Sequence, residues 1–481
     1  MNFAIVRYLI GWMLGIESIF LLLPALTAVI YGEAELPAYL TAAAISLAGA
    51  ALLCHRKPKN TRFYAREGYV TVALCWLVLA GIGALPFVLS REIPFFIDAL
   101  FETVSGFTTT GATILGDVEA LSHASMLWRC LTHWVGGMGV LVFMLIVLPL
   151  AGGQTIFLMR AESPGPAVSK MSPHMRDTAT ILYAIYFGLT VLQMILLLIG
   201  GMPLFDAICV SLGTAGTGGF GNWNDSIAHY NSAYLQNVIT VFMILFGINF
   251  SAYFLILTRK FRQAFRIEEI RVYLGVIFVF AGLIAFNVRP MFGSLRESFH
   301  HALFQVASII TTTGFSTVDF DQWPTFSRAL LVLLMFIGAC AGSTGGGIKC
   351  SRILLLGKSV KKELMCLIHP RLVRVNKMDG QRVPHEVMRS INVFVVAYAF
   401  IFILSLLIIS LNCEDLVTCF TSVATTLNNV GPGLSLCGPT CNFGFFPPLS
   451  KGVLIFDMLA GRLELFPMLL LFTPGTWQRN K

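Results

Sequence analysis

The segment Phe101-Glu-Thr-Val-Ser-Gly-Phe-Thr-Thr-Thr-Gly111 is too apolar for an ordinary loop. It is also too short to cross a bilayer, since a membrane-spanning helix needs about 20 residues. The segment ends in three hydroxyl residues and a glycine. A single segment of this kind is typical of a helix–loop turn packed inside a helix bundle.

Three other segments of the chain have the same form. They read Cys209-Val-Ser-Leu-Gly-Thr-Ala-Gly-Thr-Gly-Gly219, Phe304-Gln-Val-Ala-Ser-Ile-Ile-Thr-Thr-Thr-Gly314 and Thr421-Ser-Val-Ala-Thr-Thr-Leu-Asn-Asn-Val-Gly431. When the final glycines are aligned without gaps, the residue six positions earlier is always small. The residue two positions earlier is Thr109, Thr217, Thr312 or Asn429. Because each segment lies between two long apolar runs, we predict a unit of span, short helix, glycine-ended loop and span that occurs four times.

The composition of the whole chain indicates a membrane protein. Of its 481 residues, 56% are apolar and only 12% are charged, whereas soluble domains carry about 25% charged residues. Such a chain could not cover its surface with polar groups. The composition excludes a set of soluble domains, a disordered chain, a disulfide scaffold and a nucleic-acid binder.

Long apolar runs occur in stretches of about the length that a bilayer requires. They centre on 8–31, 37–54, 70–90, 125–150, 180–200, 233–258, 272–288, 326–356, 391–412 and 452–473. We therefore predict an all-α polytopic membrane protein with about ten transmembrane helices around a central pore. It comprises a two-helix N-terminal segment over 1–68 and pore repeats over 69–178, 179–271, 272–390 and 391–481.

Lys and Arg residues concentrate in four of the segments between these runs, namely 55–68, 151–178, 259–271 and 358–390. Segments rich in Lys and Arg stay on the cytoplasmic side of a membrane. This pattern predicts that both termini are cytoplasmic. The net charge of +8 then belongs largely to one membrane face and needs no nucleic-acid partner to explain it.

Four glycine-ended loops around one axis would form a cation pore. Non-helical backbone at membrane depth is tolerated only inside protein or beside water, and rings of backbone carbonyls replace the hydration shell of a monovalent cation. Glycine permits the backbone angles that turn carbonyls inward. Threonine hydroxyls add neutral oxygen ligands, and the C-terminal ends of the short helices favour a cation.

Six short motifs distinguish the chain further. They are Thr108-Thr-Thr-Gly-Ala-Thr113, Leu427-Asn-Asn-Val-Gly-Pro-Gly433, Ala341-Gly-Ser-Thr-Gly-Gly-Gly-Ile-Lys349, Gly461-Arg-Leu-Glu464, Arg160-Ala-Glu-Ser-Pro-Gly-Pro166 and Leu471-Phe-Thr-Pro474. Together they resemble the Trk/Ktr/HKT superfamily of potassium transporters, and specifically its bacterial TrkH branch. The likeness covers essentially the whole chain.

The resemblance implies a potassium uptake subunit of the bacterial inner membrane. It implies a homodimer with one pore per protomer, docked on a cytoplasmic TrkA-type nucleotide-binding regulatory subunit. Potassium is the expected substrate, with rubidium also accepted and sodium carried more weakly. No cofactor is expected, and no metal other than potassium in the filter.

The resemblance also assigns the selectivity-filter positions. They are Thr109, Thr110, Gly111, Thr217, Gly218, Gly219, Thr312, Thr313, Gly314, Asn429, Val430 and Gly431. The loops are unequal, because the second has Gly218 where the fourth has Val430. We therefore expect a pseudo-fourfold pore with less strict exclusion of sodium than a symmetric filter would give.

The run 338–347 interrupts a long apolar stretch and contains Gly338, Gly342, Gly345, Gly346 and Gly347. Glycine costs about 1 kcal/mol per residue in a helix interior, so we expect the helix to break here. The break is either a close-packing seam between helices or a mobile constriction below the filter. In the family that the chain resembles, this segment is an intramembrane gating loop.

Arg462 lies within the last apolar run, where an arginine is expensive and indicates a functional site. It can latch the gate and repel cations, or it can form a local ion pair with Glu464 or extend to the interface. Lys349 is a similar charge that can instead face the cytoplasm.

A few other residues invite a functional interpretation. Asp98, Glu102 and Asp206 can concentrate cations at the outer mouth, although helix capping explains the two aspartates equally well. For His133 and Trp134, packing between helices is the better explanation. Cys437 and Cys441 share an outer segment and can pair in an oxidising compartment.

Two other classes of function remain to be weighed. An ion-coupled, alternating-access secondary transporter for potassium with protons or sodium also uses broken helices at the membrane midplane, but fourfold repetition favours a pore. A membrane-embedded enzyme would need clustered catalytic polar residues within the spans, and the sequence contains none.

Overall fold

The computed structural model describes residues 1–58, 64–137, 139, 175–371 and 375–478. Side chains in the helix that begins at Met175 are described from residue 180. The described residues form helices and one hairpin of two-residue strands. The predicted all-α class is therefore confirmed.

The elements follow one another along the chain with short connections. The helices of the first half are α1 (Phe3–Tyr31), α2 (Leu36–Cys54), α3 (Ala65–Gly83), α4 (Leu85–Ser90), α5 (Phe96–Phe107), α6 (His123–Gly137), α7 (Met175–Ile199), α8 (Leu204–Gly216), α9 (Ala233–Phe246) and α10 (Phe250–Leu257). Those of the second half are α11 (Phe261–Ala264), α12 (Glu268–Val288), α13 (Leu295–Ile310), α14 (Thr325–Ile337), α15 (Cys350–Ile368), α16 (His385–Ile409), α17 (Leu416–Asn428), α18 (Pro448–Arg462), α19 (Phe466–Leu471) and α20 (Pro474–Trp477). Between α15 and α16, β1 (Lys377–Met378) pairs antiparallel with β2 (Gln381–Arg382).

Several helices are long and apolar enough to cross a membrane. Among the described residues six segments meet this condition, and the pair α9 and α10 meets it jointly as a seventh although it bends by 93°. The span predicted at 125–150 lies mostly outside the described residues, as do much of the basic segment 151–178 and the motif at 160–166. The number of ten spans therefore stays a prediction.

Breaks interrupt the spans predicted at 233–258, 326–356 and 452–473, at residues 247–249, 338–349 and 463–465. The glycine-rich break at 338–349 was predicted and is confirmed. The other two were not predicted. At the last break Glu464 and Leu465 have φ of 58° and 67°, a left-handed conformation that side chains rarely adopt.

The four short helices α5, α8, α13 and α17 pack in a cyclic order. Each packs against the helix that follows it in the chain, which is α6, α9, α14 or α18 respectively. Each also packs against the corresponding helix of the preceding unit, and α5 closes the cycle by packing against α18. The last turns of the short helices are buried, so their C-terminal ends meet in the interior.

Exposed apolar side chains cover the outer faces of the long helices. Phe286 of α12 is 74% exposed and Val396 of α16 is 71% exposed. Apolar surface of this extent is unusual on a soluble monomer. It suits contact with lipid, in agreement with the membrane location expected from the composition.

Candidate functional site

The helices α5, α8, α13 and α17 end in the same hydrogen-bonding pattern. After α5, the N–H of Thr109 donates to the Gly106 carbonyl at 3.0 Å, and the N–H of Thr110 donates to the Ser105 carbonyl at 2.9 Å. These two bonds form a Schellman motif. The other three helices repeat both bonds, and the longer-range bond joins Gly218 to Gly213, Thr313 to Ser308 and Val430 to Thr425. The small residues that the sequence alignment singled out are thus the acceptors of these bonds.

The residue at the turn of each motif is left-handed, and three of the four are threonines. The φ angles are 55° for Thr109, 55° for Thr217, 59° for Thr312 and 56° for Asn429. A β-branched residue in this region is a genuine outlier, and the strain costs about 1–3 kcal/mol at each position. The surrounding packing therefore holds these loops in a conformation that their residues do not prefer locally.

The four final glycines form a closed ring of backbone contacts. Each approaches the carbonyl oxygen of the residue just before the final glycine of the next loop. A Cβ built on the glycine would lie 1.9, 1.9, 2.5 or 2.7 Å from that oxygen, in the pairs Gly111–Gly218, Gly219–Thr313, Gly314–Val430 and Gly431–Thr110. The ring brings four carbonyls around one axis and leaves no room for a side chain at any of the glycines.

The glycines mark the more accessible end of this ring. Gly111, Gly219 and Gly314 are partly exposed, whereas Thr109 and Thr312 are fully buried. The threonine ends of the loops therefore point into the protein interior.

Threonine hydroxyls brace the first and third loops from behind. The hydroxyls of Thr108 and Thr110 lie 2.8 Å apart, and those of Thr311 and Thr313 lie 2.7 Å apart. In the fourth loop the side-chain amide of Asn429 donates to the Thr110 hydroxyl at 3.0 Å. The hydroxyls of Thr110 and Thr313 are thus engaged in bonds within the protein, while the buried Thr109 hydroxyl has no partner among the described residues.

His133 of α6 occupies the space beside the second loop. A Cβ on Gly218 would lie 2.3 Å from the imidazole Cγ. The imidazole Nε2 accepts the N–H of Phe220 at 3.2 Å, so Nδ1 carries the proton and donates to the Gly106 carbonyl at 2.8 Å. His133 therefore joins the end of the first short helix to the second loop, a role beyond the helix packing expected for it. The sequence signal was the missing side chain at position 218.

The acidic residues near the outer mouth are all engaged by donors. Glu102 is buried and accepts from Arg129 at 2.8 Å, and Asp98 pairs with Lys451 at 2.5 Å. Asp206 accepts from Asn222, Trp223 and Tyr230. Neither aspartate caps its helix. The expectations of free carboxylates at the mouth and of capping by these aspartates are therefore wrong.

The segment 338–349 lies directly against the inner ends of the third and fourth loops. The N–H of Gly346 donates to the Thr312 hydroxyl at 2.7 Å. A Cβ on Gly345 would lie 2.9 Å from the Thr311 carbonyl, and one on Gly346 would lie 2.5 Å from the Asn428 carbonyl. Chain 338–349 therefore covers the ring on the side opposite the exposed glycines.

Neighbouring breaks and turns hold the same segment from the side. The Gly342 carbonyl accepts the N–H of Phe250 at 3.0 Å, and the N–H of Cys340 donates to the Gly247 carbonyl at 3.1 Å. Gly338, Gly342 and Gly347 have φ of 71°, 70° and 76°, so three glycines shape the path of this irregular backbone. The break at 247–249 thus exposes backbone groups that pair with the segment 338–349.

Arg462 connects this segment to α6. One guanidinium nitrogen donates to the Thr344 carbonyl at 2.8 Å and another donates to the Gly136 carbonyl at 2.8 Å. Glu464 pairs with Arg352, so the expected alternative of a local Arg462–Glu464 ion pair is wrong. Lys349 is partly buried and donates to the Gly345 carbonyl, so it does not simply face the cytoplasm.

No resident metal or disulfide site emerges from the described part of the chain. No group of three His, Cys, Asp or Glu residues there could hold a metal ion. Cys437 is buried, Cys441 is exposed, and both are free thiols. The suggested pairing of these two cysteines is therefore not present.

Comparison with known proteins gives consistent matches over the whole chain. The TrkH family model, described as "Cation transport protein", matches residues 38–279 and 279–478. The chain is 38% identical over 485 residues to the Trk system potassium uptake protein TrkH of Salmonella typhimurium, covering 99% of this chain and 100% of that protein. It is also 38% identical over 484 residues to the protein of the same name from Escherichia coli strain K12, with the same coverage.

A solved structure supports the same relationship. The crystal structure of the potassium transporter TrkH from Vibrio parahaemolyticus matches with a TM-score of 0.89 and 33% sequence identity. The match covers 99% of this chain and 100% of that chain. On the family match, the full-length sequence identities and the shared fold, the chain belongs to the TrkH family of cation transport proteins.

Proposed function

We propose that this chain takes up potassium through a channel-like pore whose filter is the ring of four glycine loops. The family consists of transport proteins, so the chain is a transporter and not an enzyme. The names of its relatives, which are Trk system potassium uptake proteins, support potassium as the substrate. The observation that carries the proposal is the closed cycle of glycine-to-carbonyl contacts.

Backbone carbonyls suit a potassium ion because they replace its hydration shell without adding charge. The four contacts of the ring differ, since the Cβ distances are 1.9 Å at Gly111 and Gly219 but 2.7 Å at Gly431. The side chains behind the carbonyls differ as well. This inequality supports a pseudo-fourfold filter that prefers potassium, also passes rubidium, and excludes sodium incompletely. The cyclic packing of the short helices supports the division into four pore repeats.

The proposed gate is the segment 338–349, held by Arg462. The segment covers the inner end of the ring through Gly345 and Gly346. Arginine offers five donors and no acceptor, and here two of its nitrogens bind carbonyls on two different elements. The guanidinium holds the segment across the path, and its charge repels a cation that approaches from the ring.

The proposed partners are a second copy of this chain and a cytoplasmic, TrkA-type nucleotide-binding subunit. The name "Trk system" of the relatives supports a multi-subunit assembly. The basic segment 358–390 and the segment 151–178 would dock the regulatory subunit. In this arrangement the chain lies in the bacterial inner membrane, with both termini in the cytoplasm as the distribution of Lys and Arg indicates.

An ion-coupled carrier is the competing function, since the helix breaks at 247–249, 338–349 and 463–465 also suit alternating access. Carriers are usually built on twofold repeats, and a fourfold cycle favours the pore. The test is ion flux into vesicles that contain the purified protein, with potassium, rubidium, sodium and lithium compared. We expect uptake in the order potassium, rubidium, sodium and lithium, and single-channel current steps. Fixed stoichiometric coupling to protons or sodium would instead establish a carrier.

A further inference from the structure

Glu269 is a buried carboxylate in the first turn of α12 and touches the segment 338–349 at two places. Its Oε1 accepts the N–H of Ala341 at 2.7 Å and the N–H of Ser351 at 3.0 Å. The residue is only 2% exposed. A single carboxylate oxygen therefore joins two points of the backbone that are ten positions apart.

These two points enclose the part of the segment that lies under the ring. Gly345 and Gly346, which pack against the filter loops, lie between Ala341 and Ser351. So do Gly342 and Gly347, which have left-handed backbones. Because glycine changes backbone conformation easily, these two residues can serve as hinges while Glu269 fixes the chain outside them.

The other contacts of the segment act in its middle. Arg462 binds the Thr344 carbonyl and the Thr312 hydroxyl accepts from Gly346. Both contacts must break when Gly345 and Gly346 move away from the ring. Glu269 differs because it binds the two ends, so its contacts can persist while the middle moves. Hydrogen bonds to an ionised acceptor are also roughly twice as strong as neutral ones.

We propose that Glu269 is a positioning residue of the gate, a clasp that ties the two ends of the segment 338–349 together and keeps its middle seated under the ring. This inference rests on the proposed gating role of the segment. It adds a second hold on the gate, on the element α12, independent of the latch at Arg462. Loss of the clasp lets the ends separate and the middle leave the ring more often.

Two native thiols report on the clasp without any reference to transport. Cys340 and Cys350 each lie one residue from a clasped N–H, and they are 0% and 1% exposed. A buried thiol reacts with a small maleimide only when its segment opens. The rate of maleimide labelling at these two cysteines, followed by peptide mass spectrometry, therefore measures how often the ends come apart.

The experiment compares the full chain in vesicles with its Glu269→Ala, Glu269→Gln and Glu268→Ala variants. Glu268 is the matched control, because it lies on the same helix turn but pairs with Lys358 instead of the segment. We expect Glu269→Ala to raise the labelling rate of Cys340 and Cys350 about tenfold, the effect of losing one charge-assisted hydrogen bond. Basal potassium flux should rise in parallel with an unchanged potassium-to-sodium ratio. Glu269→Gln keeps a carbonyl acceptor and should be intermediate, and Glu268→Ala should match the parent.

The outcomes separate the clasp from the gate. Parent rates of labelling and flux in folded Glu269→Ala would overturn the clasp. If that variant does not fold, parent rates in Glu269→Gln would do so. Faster labelling with unchanged flux, in both Glu269→Ala and Arg462→Ala, would leave Glu269 as a hold on the segment but refute its role as the gate, and with it that part of the proposed function.

Discussion

Position 218 carries only a hydrogen atom, and the imidazole of His133 occupies the space where the equivalent residues of the other loops have side chains. His133 pairs with the Gly106 carbonyl on one side and the Phe220 N–H on the other. The ring therefore gains at its second corner, from a distant helix, the support that the other loops obtain from their own residues. This dependence on a single residue can be tested directly.

Replacing His133 with alanine should destabilise the protein. The change leaves a buried carbonyl and a buried N–H unpaired and opens a cavity, and we expect a loss of about 2–4 kcal/mol of unfolding free energy. Thermal unfolding of the purified variant checks this, with the exposed His369→Ala as control. Gly218→Ala should be poorly tolerated alone but better tolerated together with His133→Ala. Equal effects of Gly218→Ala in both backgrounds would show that His133 does not fill this space.

Arg462 should restrain potassium flux. Arg462→Ala removes two hydrogen bonds that hold the segment 338–349 and Gly136, and it removes a positive charge from the ion path. We expect about tenfold higher potassium flux in vesicles, the change that corresponds to about 1.4 kcal/mol, with the same ion preference. Arg462→Lys keeps the charge but only part of the hydrogen bonding and should give intermediate flux.

The control for this prediction is Arg289→Ala, which removes an exposed arginine at the end of α12. It should leave flux unchanged. Folded Arg462→Ala protein that conducts no more than the parent would show that this arginine only supports the structure.

At the scale of single residues, the aligned glycines and small residues could be predicted from the sequence because a helix ending has a fixed spacing. The positions two and six residues before each glycine are the left-handed residue and the hydrogen-bond acceptor of one motif. His133 and Glu269 could not be identified in this way. Each acts on residues more than 70 positions away or through space that a missing side chain leaves, and neither relation follows a sequence period.

Among the secondary-structure elements, the breaks in the long helices differ in how visible they are in the sequence. The segment 338–349 contains five glycines, enough for a break to be expected. The breaks at 247–249 and 463–465 follow only one glycine each or contain one, and the apolar pattern continues across them. Gly461 explains the second case, because a Cβ there would lie 2.0 Å from the Leu427 carbonyl. Close packing against the fourth loop, which the sequence does not display, thus determines where α18 ends.

The exposed basic face of α15 and the segment after it should bind the regulatory subunit. Lys361 and Arg371 are exposed, and reversing their charges together with that of Lys362 should weaken co-purification of a cytoplasmic, TrkA-type subunit. Membrane insertion should not change, because other basic segments still orient the chain. The measurement is the amount of subunit recovered with the purified chain at physiological salt.

A matched control reverses three exposed charges on the segment before α12, at Arg259, Lys260 and Arg262. This variant should retain the subunit. Full recovery of the subunit with the Lys361, Lys362 and Arg371 variant would place the docking surface elsewhere.

At the scale of the whole molecule, four unequal units build one ring. The short helices pack in cyclic order, and the loops at their ends repeat that order in the contacts Gly111–Gly218, Gly219–Thr313, Gly314–Val430 and Gly431–Thr110. No unit contains a complete site. Selectivity on this account is a property of the assembled ring, and a change in any one glycine should reach the ion path as a whole.

The most direct test of this account is the ratio of potassium to sodium flux in vesicles that contain ring variants. Gly111→Ser, Gly219→Ser and Gly314→Ser each place a side chain where a carbonyl of the next loop now lies. The control is Gly452→Ser in α18, where an added Cβ meets nothing within 4 Å. We predict that each ring variant loses potassium flux and shows a lower potassium-to-sodium ratio, while the control keeps both. Unchanged ratios in folded ring variants would contradict the assignment of these four loops as the selectivity filter.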